Sequence, residues 1–378
     1  MHRSAIVVGA GIVGLATARA LASRKYNVKV IERTERAIGA SIRNFGMIWP
    51  IGQPDGTLYE RALLSRGIWK QVCTEAGIWH DEAGSLHLAY HEPEWNVLSE
   101  LAEVYQHRKY QLLSPEQVAE HSSAVVQKNL LGGLFSSDEM VVDPRQAIAL
   151  IPVYLQDKYG VEFLWGKTVI EISYPSVLTA DEEFQADEIY VCSGADFETL
   201  YPSFYSALPV TKCKLQMMRM NVQPHHERIG PALCGGLSLA HYKSFAAVDL
   251  AFLKKFFISE YEEYLKWGIH VMVSQNQKGE LTVGDSHEYA MIHDPFDKQF
   301  INRMILDYLR QFARFKDETI IETWNGIYPK LTNGETELVV RPEGGVTIIN
   351  CLSGAGMTLS FGLCEEVIAQ KIAVAANT

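Results

Sequence analysis

The sequence has 378 residues, of which 47% are apolar and 21% are charged, as is usual for a globular protein long enough to form two domains. No run approaches the roughly 18 consecutive apolar residues that a membrane-spanning helix needs, so we expect no membrane span. The formal net charge of −11 at pH 7 disfavours non-specific binding to nucleic acid. Basic residues inside a pocket can still attract an anionic substrate.

The cysteines and histidines form no recognisable ligand pattern. The chain contains no C-x-x-C, and its six cysteines are scattered at Cys73, Cys192, Cys213, Cys234, Cys351 and Cys364. This distribution is typical of reduced thiols in a cytosol and argues against both a disulfide framework and a zinc site. The histidines are dispersed as well. We therefore predict a cytoplasmic protein without a metal site.

The first 32 residues carry the most informative pattern of the chain. It consists of an apolar strand, a glycine-rich turn, an alanine-rich helix and a second strand closed by an acidic residue, at residues 4–8, 9–14, 15–23, 27–31 and Glu32. This order is typical of a dinucleotide-binding unit. A secretory signal is the alternative for the apolar residues 5–22, but three spaced glycines and the lack of a clear cleavage site argue against it.

Each glycine of this unit has a physical reason, and so does the acidic residue that closes it. Gly9 permits the tight turn, Gly11 lets the backbone approach a pyrophosphate, and Gly14 lets the helix lie close to the strand. The helix N-terminus presents free N–H groups and a positive dipole end to the phosphates. Glu32 is placed to bind ribose hydroxyls, and its charge would repel the 2′-phosphate of NADP.

The following residues predict alternating helices and strands. Residues 33–37 are polar and predict a loop, and residues 39–50 predict a segment that lies against a flat, polar ligand. Ser114 and Asp143 are expected helix N-caps. Helices are expected at residues 58–75, 93–110 and 144–158, and strands at residues 84–90, 130–135, 140–142, 161–165, 168–172 and 177–179.

Residues 188–195 predict a parallel strand that runs into a glycine turn and returns the chain to the nucleotide-binding sheet, with a local hairpin as the alternative. From residue 214 onwards, the pattern favours a largely antiparallel sheet, with strands at 215–222, 236–245, 270–275 and 279–284. An amphipathic helix is expected at residues 297–315. The two domains are therefore expected to be interwoven.

A second glycine-rich junction lies near the C-terminus. Residues 346–350 predict a buried strand, residues 353–358 form the turn, and residues 359–375 predict a helix. One such junction suffices for the phosphates of a dinucleotide. A second helix N-terminus suits a developing negative charge, such as that on the pyrimidine ring of a reduced flavin.

The opening unit, Gly39-Ala40-Ser41, the turn at 191–195 and residues 353–362 together resemble the D-amino-acid oxidase/glycine oxidase superfamily of FAD-dependent oxidoreductases. The resemblance spans the chain. It implies an α/β fold in which a doubly wound, Rossmann-like FAD-binding domain (1–83, 142–212 and 322–378) is interwoven with an α+β substrate domain (84–141 and 213–321) built on a largely antiparallel sheet.

The resemblance also implies non-covalent FAD, since the early flavin-contact loop contains no His and no Cys stands at the tether position known from sarcosine oxidases. The residues that it implies for binding the cofactor are Gly9, Gly11, Ile12, Val13, Gly14, Glu32, Arg33, Ala40, Ser41, Arg43, Asn44, Phe45, Gly46, Met47, Val169, Cys192, Ser193, Gly194, Ser353, Gly354, Ala355, Gly356, Met357 and Thr358.

Residues 39–53, 84–91 and 324–329 are similar to a subgroup that is often encoded beside phosphonate-degradation enzymes. This closer likeness implies oxidation of an N-methylated 2-aminoethylphosphonate to phosphonoacetaldehyde and an amine. Glycine-oxidase-like members carry Arg where this chain has Tyr328, and sarcosine-oxidase-like members carry Lys where it has Thr358. Losing both anchors makes a plain amino acid less attractive as the substrate, since a buried carboxylate needs a partner.

The first functional hypothesis is therefore a flavoenzyme that transfers a hydride from a small anionic amine to flavin N5, with O₂ or another acceptor reoxidising the flavin. Trp49, Tyr242, Tyr328 and Met357 are the expected neighbours of the substrate, and core packing is the alternative for each. The candidate anchors for the anion are Lys330, Lys243 and Arg43.

Two other hypotheses stay open. One is a glycine-, sarcosine- or D-amino-acid-type oxidase that produces a 2-oxo acid or glyoxylate and H₂O₂. The other is a nicotinamide-binding sensor without catalysis, against which the second glycine junction argues. The sequence leaves the electron acceptor and the oligomeric state open.

Overall fold

The computed structural model describes residues 3–376, and it describes side chains up to residue 371. Its α-helices are α1 (Ile12–Ala22), α2 (Thr57–Ala76), α3 (Glu92–Val104), α4 (Pro115–His121), α5 (Pro144–Tyr159), α6 (Pro202–Ser206), α7 (Ala251–Glu260), α8 (Glu262–Lys266), α9 (Gln299–Phe312) and α10 (Gly356–Ala376). No helix within the described part of the chain is both long and apolar enough to cross a membrane.

The strands are β1 (Ser4–Val8), β2 (Asn27–Glu32), β3 (Met47–Ile48), β4 (His80–Asp81), β5 (Ser85–Ala89), β6 (Gln111–Leu113), β7 (Gly132–Ser136), β8 (Met140–Val142), β9 (Glu162–Trp165), β10 (Val169–Ser173), β11 (Ser176–Thr179), β12 (Glu183–Gln185), β13 (Glu188–Val191), β14 (Val210–Met220), β15 (Ala232–Cys234), β16 (Met272–Gln275), β17 (Leu281–Gly284), β18 (Glu288–Ala290), β19 (Ile320–Leu331), β20 (Leu338–Val340) and β21 (Val346–Asn350).

The first large sheet has the strand order β20-β21-β13-β1-β2-β9, and it is parallel except for β20. Strand β1 lies in its interior and alternates between two apolar cores. Val7 contacts the core formed with α1, α2, α5 and α10. Ile6 and Val8 face the other side, which is covered by the small antiparallel sheet β10-β11-β12 and by residues 197–205. Burial on both faces explains why β1 reads as a continuous apolar run.

The second large sheet has the order β18-β14-β17-β16-β15-β5-β7-β6, and β19 also pairs with β14. It is antiparallel apart from the pair β5/β15. Its longest ladder joins Val210–Met220 to Ile320–Leu331. Helices α3, α7 and α9 contribute to the core of this sheet, because their buried positions, such as Leu98, Phe257 and Leu309, belong to one apolar cluster with its strands.

The chain visits the two large sheets alternately. It forms β1 and β2, then β5 to β7 in the antiparallel sheet, then β9 and β13, then β14 to β19, and finally β20 and β21 in the parallel sheet. The α/β class and the mixture of a parallel and an antiparallel sheet are confirmed. The domain boundaries drawn from the sequence stay a prediction, and we note that β14 and β19 straddle them.

Two expectations on local structure are wrong. The helix expected at residues 93–110 ends at Val104, because a 3₁₀ turn follows and Lys109 adopts a left-handed conformation with φ 56° before β6. Residues 236–245 are not a strand but two 3₁₀ turns, Gly236–Ala240 and Lys243–Ala247. A Cβ at Gly236 would lie 1.9 Å from Oε1 of Glu94, so this segment packs directly against α3.

Candidate active site

A cavity of about 1570 Å³ lies between the two large sheets. Its walls come from the C-terminal ends of β1, β2 and β13, from the start of α10 and from the face of the antiparallel sheet. Ligands of open α/β sheets bind at such carboxyl ends. The volume exceeds the 300–1,000 Å³ that is typical for one small ligand, so the cavity has room for an extended cofactor and a substrate.

The first glycine turn is held by contacts that no side chain could replace. Gly9 has φ 102°, and a Cβ there would lie 2.5 Å from the carbonyl oxygen of Cys192. A Cβ at Gly14 would lie 1.9 Å from the carbonyl oxygen of Gly9. Gly11 is the N-cap of α1, and the amide of Ile12 donates to Oγ of Ser41 at 2.9 Å. The turn therefore forms a bare backbone cradle at a helix N-terminus, which fits a pyrophosphate.

Glu32 ends β2 beside this cradle. Its Oε2 accepts the amide N–H of Ala10 at 2.9 Å, and its Oε1 accepts the amide of Thr34 at 3.2 Å and the hydroxyl of Thr34 at 2.8 Å. The carboxylate thus ties the glycine turn to the loop after β2. It also lines the cavity, where its remaining lone pairs are available to ribose hydroxyls.

The loop at residues 39–47 is braced from inside. Nδ2 of Asn44 donates to the carbonyl oxygens of Ala40 and Ser41 at 2.9 and 3.0 Å, and its Oδ1 accepts the amide of Gly46 at 2.8 Å. Nη1 of Arg43 donates to the carbonyl oxygen of Asn325 at 3.2 Å, which links the loop to β19. The side-chain amide of Asn44 therefore fixes the backbone of this loop, which forms part of the cavity wall.

The second glycine turn meets the first. Residues 353–355 form a 3₁₀ turn, and α10 begins directly at Gly356, three residues before the expected start. A Cβ at Gly356 would lie 3.8 Å from Cγ2 of Ile12. The hydroxyl of Thr358 accepts the amide of Trp49 at 3.0 Å, and the carbonyl oxygen of Met357 accepts Nε1 of Trp69 at 2.7 Å. The two junctions therefore share one cavity.

Most of the residues expected to bind the cofactor line this cavity. They are Gly9, Gly11, Ile12, Val13, Glu32, Arg33, Ala40, Ser41, Arg43, Asn44, Phe45, Met47, Val169, Cys192, Ser193, Gly194, Ser353, Gly354, Ala355, Gly356, Met357 and Thr358. Gly14 and Gly46 lie behind the wall and permit close packing, since a Cβ at Gly46 would lie 2.0 Å from the carbonyl oxygen of Val142.

The residues expected beside the substrate, Trp49, Tyr242, Tyr328 and Met357, also line the cavity; Tyr328 lies on β19 of the antiparallel sheet, and Met357 lies at the start of α10. The rings of Trp49 and Tyr242 lie 6.4 Å apart, and Nε1 of the buried Trp49 has no hydrogen-bond partner among the described residues. The hydroxyl of Tyr242 donates to Sδ of Met272 at 3.2 Å. Burial, reinforced by Cys213, raises the pKa of Tyr328, so its phenol stays protonated at neutral pH.

Of the candidate anchors, Lys330 faces the cavity with Nζ 3.3 Å from the hydroxyl of Tyr289. Nζ of Lys243 donates to the carbonyl oxygen of Gly334 at 2.5 Å at the edge of the cavity. Among the described residues, the polar partners of Lys330, Lys243 and Arg43 are the hydroxyl of Tyr289 and the carbonyl oxygens of Gly334 and Asn325, and none of them is a carboxylate. Their charges are therefore available to an anionic ligand.

Sequence reasoning missed a cluster of three histidines in the same cavity. The ring centroids of His241 and His270 lie 3.8 Å apart, and those of His287 lie 4.7 and 4.9 Å from them. Oδ1 of Asp285 lies 3.4 Å from Nε2 of His270. Pairing of the backbones of His270 and Asp285 across two strands brings these residues together. Only the spacing of Asp285 and His287, two positions apart on one face, was visible in the sequence.

Burial favours the neutral forms of His270 and His287. Burial lowers the pKa of His270 well below its usual range and that of His287 to about 4. His241 is exposed at the cavity border, so solvent there offsets much of the lowering of its pKa that the surrounding protein and the charge of Lys330 would cause. Burial raises the pKa of Asp285. The nitrogens of the three histidines lie within 4.8 Å of one another, a spacing that raises the question of a metal ion.

The fold and the cavity define a dinucleotide-binding protein of the two-sheet flavoprotein class. The chain belongs to the DAO family of FAD-dependent oxidoreductases, since the sequence profile of that family matches residues 4–370. The superfamily resemblance is thereby confirmed, and the protein is an FAD-dependent oxidoreductase. The bare glycine cradle, Glu32 and the open start of α10 fit this cofactor.

Known relatives are distant. The D-amino acid dehydrogenase of Helicobacter pylori is 24% identical over 253 residues, which cover 52% of this chain and 61% of that protein. The tRNA 5-methylaminomethyl-2-thiouridine biosynthesis bifunctional protein MnmC of Chromobacterium violaceum is 28% identical over 252 residues, covering 62% of this chain and 36% of that protein. The match thus spans less than two thirds of either relative.

Solved structures show the same fold along the whole chain. Glycine oxidase from Bacillus cereus superposes with a TM-score of 0.77 at 16% identity, covering 98% of this chain and 95% of that chain. L-proline dehydrogenase from P. horikoshii gives 0.76 at 19% identity, covering 98% and 94%. L-alpha-glycerophosphate oxidase from Mycoplasma pneumoniae, solved with FAD bound, gives 0.72 at 17% identity, covering 97% and 94%.

Proposed function

We propose that this protein oxidises a C–N bond of a small amine that carries an anionic group, and that the substrate is an N-methylated 2-aminoethylphosphonate. The products are phosphonoacetaldehyde and an amine. The observation that carries the proposal is the polar end of the cavity, where Lys330 and three histidines stand and where Tyr328 occupies the position of the arginine expected in glycine-oxidase-like branches.

The charge of the cavity supports a phosphonate over a carboxylate. A carboxylate is bound most strongly by the two parallel N–H groups of one guanidinium, and Arg43 uses Nη1 for the carbonyl oxygen of Asn325. A phosphonate has three oxygens and up to two charges, so it suits several separate donors. Lys330 and the neighbouring imidazoles offer such donors from different directions.

In this proposal, the residues of the chain position the substrate and exclude water. Residues of the two glycine turns and Glu32 would hold FAD without a covalent link, and FAD would supply the hydride acceptor for C2 of the substrate; addition of water to the resulting C2 imine would release the aldehyde and the amine. The rings of Trp49, Tyr242 and Tyr328 form a largely apolar wall that favours the neutral amine. Orientation supplies most of the rate, so no dedicated base is required.

The second candidate is an amino-acid oxidase or dehydrogenase of the glycine, sarcosine or D-amino-acid type. The D-amino acid dehydrogenase relative and the glycine oxidase fold favour it. In that case, the carboxylate would be bound by the same polar end of the cavity. O₂ or another electron acceptor closes the cycle in either case.

One experiment separates the candidates. The purified protein should be yellow and should release FAD on denaturation. Anaerobic addition of N-methyl-2-aminoethylphosphonate should bleach the flavin absorbance, and methylamine and phosphonoacetaldehyde should accumulate in equal amounts with an added acceptor. Sarcosine, glycine and D-alanine serve as matched amines with a carboxylate. Bleaching by these amino acids, with none by the phosphonate, would reject the phosphonate and establish the second candidate.

A further inference from the structure

We propose that His241, His270 and His287 form, together with Lys330, a phosphonate-binding subsite that takes up a proton when the anion binds. The inference rests on the proposed function for the identity of the anion. It assigns a role to a group of titratable side chains in the cavity wall that neither the cofactor nor the aromatic residues around the substrate explain.

Buried ring nitrogens of the cluster have no hydrogen-bond partner among the described residues. His270 is 4% exposed, and among the described residues neither of its ring nitrogens has a hydrogen-bond partner. Nδ1 of His287 lies 2.9 Å from the carbonyl oxygen of Gly268 and must donate to it, which leaves Nε2 without a proton in the neutral ring. Buried polar groups normally have partners. All three histidines line the cavity, but both ring nitrogens of His270 are shielded from solvent, so a ligand would contact the cluster through His241 and His287.

The electrostatics of the cluster point the same way. Burial lowers the pKa values of His270 and His287 and so favours their neutral forms in the free protein, whereas His241 lies at the exposed edge of the cluster. The ammonium of Lys330 adds to this effect at His241 and His287. An anion placed between them would offset that repulsion and favour an imidazolium, which donates N–H bonds to phosphonate oxygens. Binding therefore draws a proton from solvent.

Other titratable groups face the cluster, but none of them prevents this change. Burial raises the pKa of Asp285, which weakens the repulsion that its carboxyl group would exert on an anion. Once an imidazole is protonated, the same group can accept a hydrogen bond from it. The remaining titratable neighbours keep their protons at neutral pH because burial raises their pKa values; they are Tyr242, Tyr289, Tyr328 and Cys213.

The arrangement suits an anion better than a metal ion. Zinc holds imidazole nitrogens about 2.0–2.1 Å from one point, with the rings radiating outward. Here the rings of His270 and His287 are stacked at an interplanar angle of 20°, and His241 is tilted by 41° and 38° to them. In addition, the positive charge of Lys330 lines the same space and repels a divalent cation.

The test uses the FAD-loaded enzyme and 2-hydroxyethylphosphonate, which lacks the amine and cannot be oxidised. Its binding is followed by the flavin spectrum and by calorimetry in two buffers of different ionisation enthalpy. We expect net uptake of protons at pH 7 and affinity that decreases from pH 6 to pH 8. We expect His241→Asn, His287→Gln and Lys330→Met each to weaken binding by about ten-fold or more, the effect of losing a hydrogen bond to a charged group. The exposed His226 provides the control His226→Asn, which should bind as the wild type does.

Several results would overturn the subsite. One is that 2-hydroxyethylphosphonate does not bind to the wild type, and another is that all four variants bind it as tightly as the wild type does. A third is binding that chelator treatment abolishes and zinc restores, which would establish a metal site instead. His241→Asn changes a side chain at the cavity border and keeps the test valid if His287→Gln does not fold. Turnover of the aminophosphonate with unchanged KM in the variants would reject the subsite alone. Proton-linked binding without turnover of any aminophosphonate would support the subsite and reject the proposed substrate.

Discussion

Gly14 lies where helix α1 presses against the turn after β1. A Cβ at this position would lie 1.9 Å from the carbonyl oxygen of Gly9, and that oxygen belongs to the backbone, which cannot move aside as a flexible side chain can. We expect Gly14→Ala to displace the turn and to lower the free energy of unfolding by about 1–3 kcal/mol, as overpacking in a core does. Chemical denaturation measures the loss, and the flavin-to-protein absorbance ratio should decrease with it.

Gly67 provides the matched control. It also lies inside a helix, α2, but it is exposed, and a Cβ there meets no atom within 4 Å. Gly67→Ala should therefore raise the free energy of unfolding by roughly 0.5–1 kcal/mol, because alanine restricts the unfolded chain and favours the helix. Equal changes in the free energy of unfolding for the two substitutions would show that the close contact at Gly14 does not determine the effect.

Among the elements, the short turn at Pro50–Gly52 is joined to strand β5 by a buried carboxyl group. Oε1 of Glu139 accepts the amide of Ile51 at 2.8 Å, and Oε2 accepts the hydroxyl of Ser85 at 3.0 Å. Burial raises the pKa of Glu139 to about 7. Between pH 4.5 and about pH 7, Glu139 therefore stays protonated in the folded state, whereas the unfolded chain has already released this proton.

Glu139 should therefore make the free energy of unfolding decrease as the pH rises. The stabilising effect of the proton on Glu139 is complete below about pH 4.5 and is lost as the pH rises through about 7. Across this pH range, the difference between the two pKa values corresponds to a change of roughly 3 kcal/mol in the free energy of unfolding. We expect Glu139→Gln to lose less stability than the wild type between pH 5 and pH 8, as measured by urea unfolding at each pH. The interpretation would be contradicted if the free energy of unfolding depended on pH in the same way in Glu139→Gln and in the wild type.

The elements also show how far the sequence could predict the fold. The dinucleotide unit was readable because strand, glycines, helix and Glu32 are consecutive, so local rules determine their contacts. The turns at 236–247 were misread as a strand because their shape depends on the close approach of α3, which only the folded chain provides. Helices α7 and α8 were not predicted at all.

The same limit applies to the site. Residues on the two glycine junctions could be predicted because each junction has its own local pattern. His241, His270 and His287 could not be grouped, because a 3₁₀ turn and two strand ends distant in sequence bring them together. The antiparallel pairing of β16 and β17, which aligns His270 with Asp285, has no signature in either segment alone.

On the scale of the whole molecule, the cofactor cavity is bordered by both large sheets. A ligand that binds only the folded state stabilises it by an amount that depends on its concentration, about 2.7 kcal/mol at one hundred times the Kd. We expect FAD removal to lower the Tm and FAD addition to restore it in one cooperative transition. Scanning calorimetry of the apo and reconstituted protein checks this. Two separate transitions, of which FAD shifts only one, would show that the sheets unfold independently.

Strand β19 carries both Tyr328 and Lys330, and Lys330 forms an isolated backbone bridge with Leu352 immediately before the second glycine turn. In the proposed function, the residues that bind the substrate and the helix start near the cofactor are therefore joined directly through β19. A rotation of β19 away from the second glycine turn would have to break this bridge. On the proposed function, a change of amine specificity would therefore proceed by exchanging side chains along β19 and would leave the backbone beside the second glycine turn in place.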